Sequence, residues 1–251
     1  MNADALRVRA EILECRRCGL HSVGNRRVPW DGPVPSDICV VGEAPGREED
    51  EQGRPFVGLS GRLARSWVEP RFGDVAWLNV VSCFPNRTPT GREVEACRGN
   101  LMQQLAIVQP RLLLLFGGVA VNAWVGHRIG EVRGRWLRCP VDLLQWTPMG
   151  LATWHPAAVL RNRSLEVDVL DDLRVFRESL GDDAIPPYVY QPCIKCGSCV
   201  DTVVDDKGIA WCGKHYAWKR GTAGRGRKSP SAPKGKRSRS SSAKVDTTEL
   251  F

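Results

Sequence analysis

Short continuous runs of apolar residues alternate with segments of helical periodicity along the first 180 residues. Four such runs predict strands, at residues 37–42, 75–81, 112–116 and 151–154. Helix-forming segments predict five helices, at residues 4–14, 63–68, 93–109, 119–125 and 167–180. Continuous apolar strands separated by helices are typical of a parallel sheet that is covered on both faces. We therefore predict an α/β fold in which helices flank a central, mostly parallel sheet of four strands.

Three loops follow predicted strands directly and carry polar residues. They are Gly42–Gly46, which is a sharp turn rich in glycine and proline, Asn79–Arg87 and His155–Arg161. Open α/β sheets bind ligands at the carboxyl ends of their strands. The three loops are therefore expected to supply one binding site.

The chain has 251 residues, of which 42% are hydrophobic, so it can bury a substantial core. It contains no apolar run of about 18 residues, the length that suggests a membrane helix. Its N-terminal segment lacks the apolar stretch of a secretory signal. We therefore expect no membrane association and a location in the cytoplasm of a prokaryotic cell.

Positive charge is concentrated at the C-terminus. The chain carries 36 Lys and Arg against 28 Asp and Glu, and residues 216–251 alone account for the net charge of +8. Composition predicts a main domain at 1–183, a small Cys/His module at 184–218 and a disordered basic tail at 219–251. The tail is expected to attract nucleic-acid phosphates or a replication or repair partner, with a purely solubilising role as the alternative. The protein is expected to be a monomer.

The ten cysteines fall into groups. Cys39 and Cys139 lie in apolar segments and are interpreted as core residues. Four others are spread over the N-terminal half as C-x2-C, a long gap and C-x13-C: Cys15, Cys18, Cys83 and Cys97. In a chain without secretory features they indicate a metal site rather than disulfides. The spacing alone suits an iron–sulfur cluster and a zinc ion equally.

A second group of cysteines lies in the C-terminal module. A C-x2-C-G turn, a predicted strand pair that turns at residues 205–208 and a C-x2-H motif would bring four ligands to one point, as in zinc ribbons. The predicted Zn²⁺ ligands are Cys193, Cys196, Cys212 and His215, with Cys199 as a substitute.

The main domain carries four distinctive motifs: GEAPGREEDEQGRPFVGLSGRL at 42–63, LNVVSC at 78–83, NRTPTGREVEAC at 86–97 and TWHPAAVLRN at 153–162. Together they resemble motifs of the family 4 uracil-DNA glycosylases. The resemblance spans about residues 10–180, with the motifs in the family's order. It implies the three-layer αβα fold of that superfamily. It also implies a structural 4Fe–4S cluster held by Cys15, Cys18, Cys83 and Cys97.

The resemblance implies catalytic roles as well. Cleavage of a base from deoxyribose builds positive charge on the sugar and negative charge on the departing base, and donors must be aimed at the base oxygens. His155 is expected to donate to the base O2. Glu43 is expected to polarise a water or stabilise the cationic sugar. Glu49 and Asp50 are the runners-up for that role, and Glu49 is alternatively expected to border C5 of the base.

Five further residues are expected to bind the base or the DNA. Asn79 would pair with the edge of the pyrimidine, Phe56 would stack on the flipped base, and the turn amides at Ala44 and Gly46 would cradle a base oxygen. Arg161 would contact the DNA backbone or fill the gap that the base leaves. Structural roles, as a core phenylalanine or as an asparagine bonded to backbone, are the alternatives.

The distribution of lysine bears on the mechanism. The first lysine is Lys195, so the main domain has no side-chain amine with which to form a Schiff base. We therefore predict a monofunctional DNA glycosylase. It would flip a pyrimidine out of the DNA, hydrolyse its N-glycosidic bond and leave an abasic site.

Two alternatives to a uracil-excising repair enzyme remain at this point. The loop at residues 83–87 is shorter than in family 4, and a shorter loop could admit a larger base, such as a hypermodified pyrimidine of phage DNA. The enzyme would then act in defence. The second alternative is a non-catalytic protein of glycosylase fold that binds uracil or modified DNA. The presence together of Glu43, Asn79, Phe56 and His155 argues against it.

Overall fold

A computed structural model describes residues 2–138 and 148–180, together with the backbone of three short strands at 189–190, 202–204 and 210–212. The helices are α1 (Ala3–Leu13), α2 (Arg47–Gln52), α3 (Leu59–Phe72), α4 (Gly91–Val108), α5 (Gly117–Val125), α6 (Ile129–Val132), α7 (Pro156–Arg161) and α8 (Leu165–Glu178). The strands are β1 (Ile38–Gly42), β2 (Ala76–Asn79), β3 (Leu112–Phe116), β4 (Trp136–Arg138), β5 (Met149–Thr153), β6 (Val189–Tyr190), β7 (Thr202–Val204) and β8 (Ala210–Cys212).

The four predicted strands form the parallel centre of the main sheet, in the order β2-β1-β3-β5. The predicted α/β class and parallel centre are therefore confirmed. The predicted number of strands is wrong, because β4 pairs antiparallel to β5 and β6 pairs with β4. Both added strands are only two or three residues long, too short to produce a recognisable alternation of apolar and polar residues.

The sheet is covered on both faces, which confirms the three-layer arrangement. Alternate residues of β1 and β3 point to opposite faces because side chains alternate along a strand. On one face Cys39, Val41, Leu113 and Leu115 pack against α1, α4 and α5. On the other face their neighbours pack against α3, α7 and α8: Ile38, Val40, Leu112 and Leu114.

Cys39 is fully buried in the first of these two layers, which confirms its interpretation as a core residue. Burial raises the pKa of its thiol, so the side chain stays a neutral apolar group. Cys139 lies outside the described residues. Within the described part of the chain, no helix combines the length and apolarity that crossing a bilayer requires.

The predicted strand pair of the C-terminal module is present as an antiparallel ladder between β7 and β8. Cys212 is the last residue of β8, and only its backbone is described. The other predicted zinc ligands, Cys193, Cys196, Cys199 and His215, lie outside the described residues, as does the basic tail. Zinc binding stays a prediction.

Candidate active site

The carboxyl ends of β1, β2 and β5 lie at the same edge of the sheet and border one cavity of about 310 Å³. Asp50, a runner-up for the catalytic carboxylate, does not line this cavity. The other residues that the sequence suggested for catalysis, base binding and DNA contact do: Glu43, Ala44, Gly46, Glu49, Phe56, Asn79, His155 and Arg161. The expectation that the three loops supply one site is therefore met. The role of each residue stays a prediction.

The ring of His155 is oriented by the start of α7. His155 caps this helix, and the backbone N–H of Ala157 donates to its Nδ1 at 3.1 Å. A ring nitrogen that accepts an N–H carries no proton, so the neutral imidazole is protonated on Nε2. Burial, together with the charge of Arg161, lowers the pKa of His155 to about 4. At neutral pH His155 is therefore a neutral hydrogen-bond donor on the cavity wall.

A glycine behind His155 makes this placement possible. Gly117 begins α5 with a φ of +87°, and a Cβ on it would lie only 2.8 Å from Cβ of His155. Only glycine combines that backbone conformation with that close approach. Sequence reasoning missed Gly117, because its contact with His155 joins residues that are far apart in the chain.

Two aspartates of α8 hold the strand end that precedes His155. The hydroxyl of Thr153 donates to Asp172 at 2.7 Å, and the indole N–H of Trp154 donates to Asp168 at 2.9 Å. Asp172 is buried and also accepts from Arg133 at 2.9 Å. A buried carboxylate that is bonded at both oxygens, as that of Asp172 is, fixes local geometry. Asp168 is partly exposed and adds the second contact. Both aspartates were also missed from the sequence, where α8 reads as an ordinary amphipathic helix.

Glu43 is the acidic side chain of the cavity wall that is not bonded to backbone amides in the described structure. Burial raises the pKa of its carboxyl group, while a hydrogen bond from Thr88 and the charge of Arg161 oppose this rise. The side chain is partly exposed to the cavity. A partly desolvated carboxylate in this position can polarise a water or stabilise positive charge on a bound ligand.

The two other acids considered for this role bind the protein's own backbone. Glu49 accepts from the N–H groups of Gly46 and Gly58 at 2.9 and 2.8 Å. Asp50 accepts from the N–H groups of residues 25–26 at 2.8 to 2.9 Å. Glu49 therefore braces the turns before and after α2, whereas Asp50 ties α2 to the loop at residues 25–26. Glu49 still borders the cavity, as a contact to C5 of a base requires.

Asn79 and Phe56 lie side by side at the bottom of the cavity, and each is at most 6% exposed. A Cβ on Gly42 would lie 2.4 Å from Oδ1 of Asn79 and 2.7 Å from Cζ of Phe56. Gly42 is thus required for both side chains to reach their positions. The Phe56 ring also packs on Trp77, with 4.9 Å between ring centroids, so Phe56 belongs to the core and to the cavity wall.

The outer side of the cavity is formed by the loop at residues 84–88. Asn86 adopts a left-handed conformation with a φ of 54°. Arg87 donates two hydrogen bonds of 2.8 Å to the carboxylate of Glu93, which caps α4. Asn86, Arg87 and Thr88 are exposed, so this short loop is anchored mainly by polar contacts.

Comparison with known proteins decides the family. The model of the "Uracil DNA glycosylase superfamily" matches residues 29–178. The type-4 uracil-DNA glycosylase of Pyrobaculum aerophilum is 38% identical over 185 residues, which cover 69% of this chain and 93% of that protein. The chain belongs to this superfamily, in its type-4 branch.

Two further type-4 uracil-DNA glycosylases support the assignment. The protein of Thermotoga maritima is 38% identical over 176 residues, 66% of this chain and 89% of that protein. The protein of Archaeoglobus fulgidus is 34% identical over 184 residues, 68% of this chain and 90% of that protein. The predicted family resemblance is therefore confirmed, and the C-terminal part after residue 178 lies outside the matched superfamily model.

In this type-4 family member, the four N-terminal cysteines come from three segments that pack together. Cys83 and Cys97 are buried, whereas Cys15 and Cys18 are partly exposed. Burial and then the nearby thiols of the other three raise the pKa of Cys83 to about 12, while Arg27 opposes the rise. The pKa values of Cys83 and Cys97 respond to the thiols of the other cysteines, which indicates that all four side chains lie in one region.

The surroundings of these cysteines suit thiolate ligands. The backbone N–H of Ser82 points at Sγ of Cys97 at 3.4 Å. Among residues 2–138 and 148–180, no group of three or more His, Cys, Asp or Glu side chains is arranged to hold a metal ion. A lone zinc needs four sulfurs about 2.3 Å from one point, whereas each cysteine of a cluster binds its own iron. The donor set of four cysteines, one of whose sulfurs accepts a backbone N–H, is of the type that an iron–sulfur cluster uses, and the choice between a cluster and zinc stays a prediction.

Proposed function

We propose that this protein is a monofunctional uracil-DNA glycosylase, which hydrolyses the N-glycosidic bond of deoxyuridine in DNA and acts in base-excision repair. The observation that carries the proposal is the state of His155. Its Nδ1 accepts a backbone N–H, its pKa is about 4, and its ring lines the same cavity as Asn79 and Phe56. The type-4 relatives named above support uracil as the base.

The reaction follows from these side chains. A flipped uracil would stack on Phe56 and present its edge to the amide of Asn79, which offers a donor and an acceptor together. As the bond to C1′ breaks, negative charge grows on the base, and the Nε2–H of His155 stabilises it at O2. Glu43 stabilises the positive sugar and orients the water, whose oxygen bonds to C1′. One proton of the water stays on the new C1′ hydroxyl, and the other neutralises the departed base.

The remaining cavity residues would bind the rest of the substrate. The backbone amides at Ala44 and Gly46 would cradle the second base oxygen, and Glu49 would lie beside C5. Arg161 is exposed on the last turn of α7 at the mouth of the cavity, where it would contact the DNA backbone. Because the first lysine is Lys195, no side-chain amine of the main domain can attack the sugar, and the abasic site would be left uncut.

A 4Fe–4S cluster is the cofactor that fits Cys15, Cys18, Cys83 and Cys97. When bound, it would cross-link the N-terminal segment to the loop after β2 and to α4, which stabilises the domain rather than serving the reaction. Substitution of Cys97 by Ser is expected to lower both the iron content per protein and the melting temperature. Zinc bound in place of iron in the purified protein would overturn this assignment.

A modified pyrimidine is the second candidate substrate. The favouring observation is the short exposed loop at residues 84–88, which borders the cavity opposite its buried side. A base with a bulky C5 substituent would extend past Glu49 toward this loop. The enzyme would then act against phage DNA. Excision of such bases at a rate equal to that of uracil would support this role, and excision of uracil alone would exclude it.

The C-terminal part would assist binding. A zinc ion on Cys193, Cys196, Cys212 and His215 would organise the module, and the basic residues after 219 would add salt-dependent attraction to DNA phosphates or to a repair partner. Removal of residues 219–251 is expected to weaken DNA binding and to reduce its salt dependence, without changing the rate of base release at saturating enzyme.

The proposal is tested with a duplex that carries one labelled uracil. The strand should be cut after treatment with alkali and stay intact without it, and the His155→Ala variant should release far less base. Intact DNA after alkali, from folded protein that contains iron, would contradict the proposal. Binding of uracil DNA without release would favour the non-catalytic alternative.

A further inference from the structure

Phe56 has an unusual backbone conformation for a bulky aromatic residue. Its φ is 57°, in the left-handed region, and its side chain is 6% exposed. A conformation of this kind costs free energy and persists only where the surrounding structure enforces it. Gly61 on α3 makes room for it, because a Cβ there would lie 2.3 to 2.6 Å from the backbone atoms of Phe56.

Arg65, one turn further along α3, holds the two peptide groups that flank Phe56. Its Nε donates to the carbonyl oxygen of Phe56 at 3.0 Å, and its Nη2 donates to that of Pro55 at 3.2 Å. These two peptide planes define φ and ψ of Phe56. The guanidinium group therefore sets the direction in which the Phe56 ring leaves the backbone.

Arg65 is itself held from three sides. Its Nη2 bonds Asp31 at 2.8 Å and its Nη1 bonds Glu69 at 2.7 Å. Its guanidinium lies 4.6 Å above the ring of Trp77, which in turn packs on Phe56. Asp31 is fixed to β2, because its backbone exchanges two hydrogen bonds with Trp77. The guanidinium group of Arg65 is therefore held in place on the sheet and is not free to follow the segment that carries Phe56.

We propose that Arg65, fixed by Asp31, is a positioning residue that sets Phe56 at the angle needed to stack on the extruded base. The inference rests on the proposed function, in which the base enters the cavity beside Phe56. Arg65 does not line that cavity, so it acts through Phe56. Lysine cannot replace it, since a single ammonium cannot serve two carbonyls and two carboxylates in one plane.

The test compares Arg65→Lys with the wild-type holoenzyme on uracil DNA. The variant should raise KM about 10-fold while kcat changes less than about twofold, because stacking acts alike on the bound base and on the transition state. Free uracil should inhibit it about 10-fold less well, whereas affinity for DNA with a stable abasic-site analogue should be unchanged. Asp31→Asn preserves the shape of the side chain. It should also raise KM and weaken inhibition by free uracil, each by a smaller factor than in Arg65→Lys.

Arg174→Lys is the matched control, because Arg174 also bonds two carboxylates, Asp171 and Glu178, but on the exposed side of α8. It should leave KM, kcat and uracil inhibition unchanged. Unchanged uracil inhibition in both Arg65→Lys and Asp31→Asn would overturn the inference. An equal loss of affinity for abasic and uracil DNA would also overturn the inference, because it would show that the substitution disturbs the protein generally and not the contact with the base. An inactive wild type would refute the proposed function instead, which keeps the two failures distinct.

Discussion

The cavity at the carboxyl edge of the sheet has two sides that are built differently. Its floor, formed by Gly42, Phe56, Asn79 and His155, is largely buried and is fixed by close packing and by hydrogen bonds to the main chain. Its rim, residues 84–88, is largely exposed and is held by the ion pair of Arg87 and by the bond of Thr88 to Glu43. Rigid elements suit a reaction that depends on geometry, whereas exposed loops tolerate variation. The floor should therefore determine the chemistry, and the rim should determine which bases enter.

The largest expected effect is on the floor. His155→Ala removes the donor to the leaving base and should lower the single-turnover rate of uracil release by about 10² to 10³-fold. The melting temperature should change little, because His155 lines the cavity and does not belong to the apolar core clusters. His127→Ala, a histidine outside the cavity wall, is the control and should retain wild-type rates. A loss below about tenfold in His155→Ala would show that the floor does not carry the chemistry.

The second prediction tests how tightly the floor is packed. In Gly42→Ala the added methyl would lie 2.4 Å from Asn79, and the displaced amide should slow release by about 10²-fold. Gly91→Ala is the matched control, since a Cβ there has no neighbour within 4 Å. It should change the free energy of unfolding by no more than about 0.5 kcal/mol and leave the rate unchanged. Equal rates for the two variants, measured in single turnover, would contradict a rigid floor.

The third prediction concerns pH. His155 stays neutral above its pKa of about 4, so the rate of release should show no inflection near pH 6.5. The pKa of Glu43 is raised by burial above the usual value of 4.5. If its carboxylate is required, activity falls as pH decreases through that raised pKa, by about tenfold per unit. The acid limb should disappear in Glu43→Gln. An acid limb that persists in this variant would assign it to another group.

The smallest expected effect is on the rim. Thr88→Val removes the hydroxyl that bonds Glu43 and should slow uracil release by about three- to tenfold. It should also shift the acid limb to higher pH, because this hydrogen bond lowers the pKa of Glu43. Thr90→Val, at the cap of α4, loses a hydroxyl outside the cavity wall and is the control. A larger loss in Thr88→Val than in His155→Ala would reverse the roles of rim and floor.

The sequence predicted the parts of the molecule that depend on local patterns. The run Leu112–Phe116 is apolar throughout and coincides with β3, and the boundaries of α4 and α8 fall within two residues of those predicted. The family motifs placed the cavity residues on the correct loops. The strand β4 was missed because three residues are too few to show a periodic pattern. The helix α2 was missed because its sequence is polar throughout and has no apolar periodicity.

The residues that support the site could not be predicted in the same way. Three residues support the site through contacts with residues that are distant in the sequence. Gly117 contacts His155, 38 positions away. Arg65 bonds Phe56, 9 positions away, and Asp172 bonds Thr153, 19 positions away. An arginine on an amphipathic helix is usually a solvated charge, and nothing near Arg65 in the chain marks it as a partner of Phe56. Only the packing of α3, α5 and α8 on the sheet brings these contacts about.

The protonation state of His155 tests the central claim most directly. Nitrogen-15 NMR of the labelled protein, with the His155→Ala variant to assign the signals, reports which ring nitrogen carries the proton. The account predicts a neutral ring protonated on Nε2 from pH 8 down to about pH 5, with titration only near the pKa of about 4. A ring protonated on Nδ1, or one that becomes charged near pH 6.5, would contradict it.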